Sequence, residues 1–175
     1  ALSSAASDVY KRQELNKSRL INVLPVGGWE NVLVLHNEIY THNTFGVGTK
    51  VFSILDGDAR ELITKPFKRY PKLFLPIKSI EKYLYSILVT EPDKAIKKQI
   101  NDMFFSVESI DEIVAGYYIG DTRNDKNGKT FYKKLIDSLE RRHISEEVFV
   151  RGLSKIIMNN YDFSSFEKSL GKVFE

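Results

Sequence analysis

The chain has 175 residues, of which 42% are hydrophobic, and this is the size of one domain with a closed core and at most an appendage. Its formal net charge of +3 is compatible with nucleic-acid binding but does not by itself indicate it. The absence of cysteine excludes disulfides, thiolate zinc sites and a cysteine nucleophile, and it is typical of a reducing compartment, so we expect a cytoplasmic protein. No apolar run approaches the roughly 18 residues of a membrane span, so no membrane partner is expected.

The first residues are predicted to lie outside the fold. Residues 1–12 are small and polar and lack the apolar core of a signal peptide. We therefore expect residues 1–19 to be a tail or an expression remnant.

An α/β unit is predicted at the front of the chain. The apolar run Ile21–Val26 ends at Gly27–Gly28, which predicts a strand that turns sharply into a helix. From Trp29 onward, apolar residues recur at helical spacing to about Thr41. A second apolar run at 50–55 completes a β-α-β crossover, which is expected to be right-handed and parallel.

The second of these runs ends in two carboxylates, Asp56 and Asp58, with Gly57 between them. In an open α/β sheet the ligand crevice lies beyond the carboxyl ends of the strands. Two hard oxygen donors in that place favour Mg²⁺ or Mn²⁺, and a glycine between them leaves the metal uncrowded. A simple acidic turn after a strand is the alternative.

The rest of the chain is predicted to be mostly helical. Pro66, Pro71 and Pro76 keep the segment after Asp58 from forming a regular helix, and Ser79 is a plausible N-cap for a helix from Ile80. Further helices are predicted from Pro92 to about Phe105, over 109–118, from Lys129 to near His143, from Ser145, and from Asp162 or Ser164 to Leu170. The segment 120–128 reads as an exposed loop. We divide the chain into an α/β module at 20–90 and a helical region at 91–175.

A basic segment with interleaved aromatic residues follows the aspartates. Such a segment can follow a nucleic-acid backbone, although a charge run is as often a solvated face. Its candidate nucleic-acid contacts are Lys65, Lys68, Arg69, Lys72 and Lys78.

Four blocks of the sequence resemble a known family. Ile21–Val32 and Phe52–Asp58 resemble the second half of a TOPRIM domain of the type found in OLD (overcoming lysogenization defect) family nucleases. Leu75–Leu84 resembles the segment in which a Ser-x-Glu element helps bind metal in that family. Gly128 and Lys129 resemble the position of a later catalytic lysine. The resemblance covers about residues 20–140.

The resemblance implies a TOPRIM-like (Rossmann-like) parallel sheet with a helical C-terminal region, in an endonuclease that hydrolyses DNA phosphodiesters with Mg²⁺ or Mn²⁺. It implies Asp56, Asp58, Ser79 and Glu81 as metal ligands, and Lys129 as the catalytic residue that stabilises the transition state beside the two aspartates. From the residues alone, Ser79 and Glu81 are equally consistent with helix capping, and Lys129 with a solvated lysine.

One part of the family pattern is absent. A TOPRIM domain begins with a strand ending in a glutamate, some tens of residues before the position of Ile21, and Glu14 follows no apolar strand. We therefore expect the chain to be the C-terminal part of a longer anti-phage protein, with an N-terminal ATPase domain as its partner and any oligomer contacts in that part. No P-loop motif is present, so the chain itself is not expected to bind ATP. Without the first glutamate the isolated chain can be inactive.

Two alternatives remain open at this stage. In a phosphatase of the haloacid-dehalogenase type, Asp56 would be the nucleophile and Asp58 the acid/base. Against it, a strand-helix unit already precedes Asp56, and Ala59 replaces the usual Gly-Thr continuation. The second alternative is a non-catalytic interaction module whose acidic turn binds nothing.

Overall fold

The computed structural model describes residues 21–64, 67–105, 109–118, 125 and 127–174. The fold is mixed α/β and mostly helical, with a small parallel sheet of two strands among the described residues. The elements in chain order are α1 (Trp29–His42), β1 (Ser53–Leu55), a 3-10 helix (Gly57–Glu61), β2 (Lys72–Phe74), α2 (Ile80–Tyr85), a π-helical turn (Ser86–Thr90), α3 (Lys94–Phe104), α4 (Ile110–Tyr118), α5 (Lys129–Glu140), α6 (Glu146–Asn160) and α7 (Ser164–Phe174). The predicted tail at 1–19 and most of the predicted loop at 120–128 lie outside the described residues.

The described residues belong to two compact units. Residues 21–78 and 162–174 form one, here called the sheet unit, and residues 79–161 form the other, here called the helical unit. The chain thus divides after Lys78, whereas the sequence analysis placed the division near residue 90. None of the described helices has the length and apolar content needed to cross a bilayer.

In the sheet unit, β1 and β2 pair in parallel over three residues each. Ser53 faces Lys72 and Leu55 faces Phe74 in this register. The ladder continues on both sides, because the N–H of Ser53 donates to the carbonyl of Pro71 over 3.1 Å, and the backbone N–H after Phe74 donates to the carbonyl of Leu55 over 2.8 Å.

The predicted first strand at Ile21–Val26 is wrong, and so is the predicted crossover through α1. These residues have no regular secondary structure, and the parallel partner of β1 is β2, which follows it in the chain. Pro25 lies inside the predicted strand, where it has no N–H to donate to a ladder. In β2 the two flanking prolines, Pro71 and Pro76, fall outside the three paired residues, so neither interrupts the pairing.

The predicted helix from Trp29 is confirmed as α1. Gly28 precedes it with a φ of 51°, and Asn43 ends it in the left-handed conformation. Leu33, on its inner face, forms the centre of the unit's core with Leu55 and Ala59. The partly buried side chains that pack on this cluster are Trp29, Val32, Ile63, Phe67 and Phe74. The strand β1 therefore shares one core with α1 and the 3-10 helix.

The predicted helices of the helical unit are confirmed, and their starts are set by side-chain caps. Ser79 accepts the N–H of Lys82, and Ser145 accepts the N–H of Val148. Asp93, rather than Pro92, sets the start of α3 by accepting two backbone N–H groups. Every helix of this unit contributes fully buried side chains to its core, among them Leu84, Ile100, Tyr117, Phe131, Leu139 and Phe149.

Candidate functional site

Asp56 and Asp58 follow the carboxyl end of β1 directly. Asp56 has an extended backbone and precedes the 3-10 helix, whereas Asp58 lies in the first turn of that helix. Asp56 is exposed and Asp58 is half-buried. Because β1 and β2 are parallel, their carboxyl ends lie at the same edge of the sheet. The two predicted metal ligands of the sheet unit are thus at the edge where ligands enter open α/β sheets.

Gly57, between the two carboxylates, contacts the backbone that follows β2. Its N–H donates to the carbonyl oxygen of Ile77 over 2.9 Å. A Cβ atom at this position would lie 2.5 Å from that oxygen and 2.7 Å from the carbonyl oxygen of Leu75. Both obstacles are backbone atoms, which cannot rotate away. The glycine is therefore required by close packing of two backbone segments, a reason that the sequence analysis did not give.

Two cations lie at or near the same edge of the sheet unit. Lys78 is exposed and follows β2 by a few residues. Arg60, in the 3-10 helix, places its guanidinium carbon 4.7 Å from the centre of the Phe74 ring at the end of β2. Arg60 thus places a positive group at the carboxyl end of β2, and Lys78 follows that end in the chain.

Ser79 and Glu81, the other predicted metal ligands, belong to the helical unit. The Ser79 hydroxyl accepts the N–H of Lys82 over 3.3 Å and caps α2. Glu81 is half-buried in the first turn of that helix. Burial raises the pKa of Tyr132, and its hydrogen bond to Glu146 and the negative charge of Glu81 raise it further. The capping interpretation accounts for Ser79, while Glu81 contributes to the raised pKa of Tyr132.

Lys129 begins α5 and is exposed. The glycine before it, Gly128, has a φ of 69°, and a Cβ there would lie 2.7 Å from the carbonyl oxygen of Glu81 and 2.5 Å from the Cβ of Tyr85. The helical unit therefore brings together the Ser-x-Glu and Gly-Lys blocks, which are far apart in sequence. Close packing of α5 on α2 requires the glycine in this pair.

Asp125 is a buried acid that the sequence analysis missed, because it lies in the segment predicted to be an exposed loop. Its carboxylate accepts the Tyr117 hydroxyl over 2.8 Å and the N–H groups of Thr130 and Phe131 over 3.1 and 2.9 Å. Burial alone would raise the pKa of Asp125, but these hydrogen bonds lower it. Asp125 therefore caps the start of α5. One feature of the sequence could have indicated this role, because Asp125 lies only four residues before the predicted start of the helix at Lys129.

The basic segment is only partly solvated. Lys68 and Lys78 are exposed, and Lys65 lies outside the described residues. The Arg69 guanidinium donates to Asn37 over 3.3 Å and lies over the ring of Tyr70. The Lys72 ammonium donates to the carbonyls of Lys68 and Tyr70, and burial lowers the pKa of Lys72. Arg69 and Lys72 therefore have internal roles that the sequence analysis did not predict.

His36 is the other polar group that the sequence analysis passed over. It is 2% exposed, and its Nδ1 lies 2.7 Å from the hydroxyl of Ser53, the first residue of β1. The available signal was its position on α1, three residues after Leu33 and three before Ile39, both of which are buried. A histidine in an apolar stripe of a helix faces the core.

Within the described part of the chain, no group of three or more histidine, aspartate or glutamate side chains is placed to hold a metal ion. Of the predicted metal ligands, Asp56 and Asp58 belong to the sheet unit, and Ser79 and Glu81 belong to the helical unit. Comparisons of the chain with protein-family models, with curated proteins and with solved structures gave no match.

Proposed function

We propose that the chain is the nuclease module of a metal-dependent DNA endonuclease, in which Asp56 and Asp58 hold Mg²⁺ or Mn²⁺ and the sheet unit is part of a TOPRIM-like sheet. One observation carries the proposal. Asp56-Gly57-Asp58 follows a parallel strand directly, and the packing of Gly57 against Leu75 and Ile77 holds the turn at the carboxyl edge of the sheet.

The carboxylates of Asp56 and Asp58 are ligands of the kind that Mg²⁺ and Mn²⁺ prefer. Mg²⁺ keeps several waters and is commonly held by one or two carboxylates together with the phosphate of the substrate. When bound, the ion would neutralise charge on the phosphate and activate a water. Asp56 and Asp58 would orient it, and Lys78 and Arg60 would attract the DNA backbone toward the same edge.

The roles of Ser79, Glu81 and Lys129 are proposed from the family resemblance. Lys129 would stabilise the negative charge that develops on the phosphate. Glu81 and Ser79 would be metal ligands, as in the Ser-x-Glu element of that family. Since these residues belong to the helical unit, their contribution is tested separately from that of the two aspartates.

The first experiment measures Mn²⁺ binding to the chain by calorimetry, with localisation by paramagnetic broadening of backbone NMR signals. Wild type is compared with Asp56→Asn, Asp58→Asn and the control Glu61→Gln, an exposed carboxylate of the same 3-10 helix. We expect broadening centred on residues 56–58, loss of at least about tenfold in affinity in both aspartate variants, which is about 1.4 kcal/mol, and wild-type affinity in the control. Equal loss in all three variants, or absence of binding, would contradict the proposal.

A second experiment separates nuclease from phosphatase activity. Plasmid nicking with Mn²⁺ and hydrolysis of a small chromogenic phosphate ester are measured for wild type and Asp56→Asn. Nicking that disappears in the variant supports the nuclease proposal. Ester hydrolysis that disappears, without any nicking, would replace it with the haloacid-dehalogenase interpretation.

A further inference from the structure

His36 connects α1 to the strand that carries the aspartate turn. Its ring is buried, its Nδ1 lies 2.7 Å from the Ser53 hydroxyl, and Leu55 at the other end of β1 leads directly to Asp56. The ring also packs on Tyr70, with 4.9 Å between ring centres. The hydroxyl of Tyr70 donates in turn to Asn37, the next residue of α1. This cluster ties the helix, the strand and the connection to β2 together.

The second ring nitrogen of His36 has no hydrogen-bond partner among the described residues. Nε2 is fully buried, and no acceptor reaches it. A buried donor or acceptor without a partner destabilises the folded state, which is a reason for such a group to be rare. If the ring took up a second proton, both nitrogens would carry hydrogens, and the positively charged imidazole would be buried.

The groups around the ring do not compensate a positive charge. His36 contacts the hydroxyl of Ser53 on β1 and the ring of Tyr70 on the connection to β2. The charge that acts on it from β2 is the ammonium of Lys72, which has the same sign as a protonated ring. On the connection, the Arg69 guanidinium stacks on the Tyr70 ring. The other charged or titratable groups on the elements of this unit are Glu30, Glu38, Tyr40 and His42 of α1, Asp58, Arg60 and Glu61 of the 3-10 helix, and Glu167, Lys168 and Lys172 of α7. The charge that shifts the pKa of His36 is that of Lys72.

We propose that His36 is a proton-sensitive latch: the neutral ring holds β1 against α1 through Ser53, and protonation releases the strand together with the Asp56–Asp58 turn. The proposal of the latch depends only on the burial of His36 and on its contacts with Ser53 and Tyr70 in the sheet unit. Its consequence for metal binding rests on the proposed function.

The direction of the pH dependence follows from the burial. Burial lowers the pKa of His36, and the nearby Lys72 lowers it further, below the ordinary value of 6.5. The unfolded chain then binds more protons than the folded chain between the folded pKa and about 6.5, so stability rises with pH across that window. The stabilisation by neutral His36 is complete above about pH 6.5 and is lost progressively as the pH falls below it.

The test is chemical unfolding of the full chain at a series of pH values between about 7.5 and about 5, spanning the ordinary histidine pKa. Wild type is compared with His36→Asn, whose amide can bond to Ser53 but does not titrate, and with His42→Asn, which removes an exposed histidine of the same helix. In wild type and in His42→Asn, we expect the equilibrium constant for unfolding to rise as the pH falls below about 6.5. The rise should reach up to about tenfold for each pH unit of acidification. In His36→Asn this rise should be absent. The same rise in all three proteins would overturn the latch.

A second measurement on wild type decides the matter if His36→Asn does not fold. The NMR titration of the His36 ring is followed together with hydrogen exchange of the amides of residues 53–55. The latch requires these amides to lose protection in the same pH range in which His36 takes up its proton. Protonation of His36 with unchanged protection would overturn it.

Mn²⁺ affinity measured across the same pH series distinguishes the latch from the proposed function. If the latch acts on the metal site, affinity falls more steeply with acid in wild type than in His36→Asn. If wild type binds no Mn²⁺ at any pH, the proposed function fails, while the unfolding data still decide the latch. Binding with the same pH dependence in both proteins would overturn the link between the two.

Discussion

The backbone N–H of Gly57 donates to the carbonyl oxygen of Ile77 over 2.9 Å, and this hydrogen bond joins the turn after β1 to the segment after β2. The bond brings the two backbones so close that a side chain at Gly57 has no room. The spacing of the candidate metal ligands is thus maintained by main-chain packing, and it can be tested by substitution at the glycine.

Gly57→Ala is expected to destabilise the protein by about 1–3 kcal/mol, since the added methyl group meets carbonyl oxygens that cannot rotate away. Gly27→Ala is the control, because nothing lies within 4 Å of a Cβ at that position. The free energy of unfolding in urea measures both effects. An equal small change in the two variants would contradict the close contact at Gly57.

Ser79→Ala is expected to lower stability by about 1 kcal/mol through loss of the cap on α2, and Ser79→Asp is expected to restore it. Mn²⁺ affinity of the same variants separates capping from metal binding. If Ser79 is also a ligand, affinity falls in Ser79→Ala, whereas a residue that acts only as a cap leaves it unchanged. Full stability of Ser79→Ala would contradict the hydrogen bond to Lys82.

Asp125→Asn is expected to destabilise the helical unit and to remove part of its acid sensitivity. Because hydrogen bonds lower the pKa of Asp125, the stabilisation is present above about pH 4 and is lost as the pH falls through the lower value of the folded state. Hydrogen bonds to a charged group contribute about 1.5–3 kcal/mol. Urea unfolding at several acidic pH values tests this, with the exposed Asp137→Asn as control. Identical acid profiles of the two variants would contradict the burial of Asp125.

Lys68→Gln and Lys78→Gln are each expected to reduce the slope of log affinity for duplex DNA against log salt by about 0.9, if each lysine neutralises one phosphate. Lys155→Gln, an exposed lysine of α6, is the control and should leave the slope unchanged. Fluorescence anisotropy with a labelled duplex at several salt concentrations provides the measurement. Slopes that fall equally in all three variants would indicate a diffuse charge effect and contradict a DNA path along this segment.

Helices were the part of the fold that local sequence patterns predicted best. The start of α2 at Ile80 and that of α6 at Glu146 follow from the capping serines Ser79 and Ser145, whose side chains accept backbone N–H groups within the same few residues. The start of α1 at Trp29 follows from the glycine before it and from the apolar spacing after it. Each of these signals acts over one or two helical turns, so no distant contact is needed to interpret it.

The sheet was predicted less well, because pairing depends on residues that are distant in sequence. The apolar run at Ile21–Val26 looked more like a strand than Lys72–Phe74, yet only the second is paired with β1 among the described residues. The same distinction between local and distant contacts applies to the candidate site. The position of Asp56 and Asp58 after a strand was predictable, whereas the burial of Asp125 and the bond between His36 and Ser53 arise from tertiary contacts.

The prolines on either side of β2 also limit what this strand can become. Neither Pro71 nor Pro76 has an N–H group, so the continuous row of backbone donors on this strand runs only from Lys72 to Leu75, and a slip along its neighbour would move a proline into a donor position of the ladder. Short strands and prolines are among the means by which proteins prevent edge-to-edge aggregation. The two prolines that flank β2 thus protect the sheet against unwanted strand addition from other molecules.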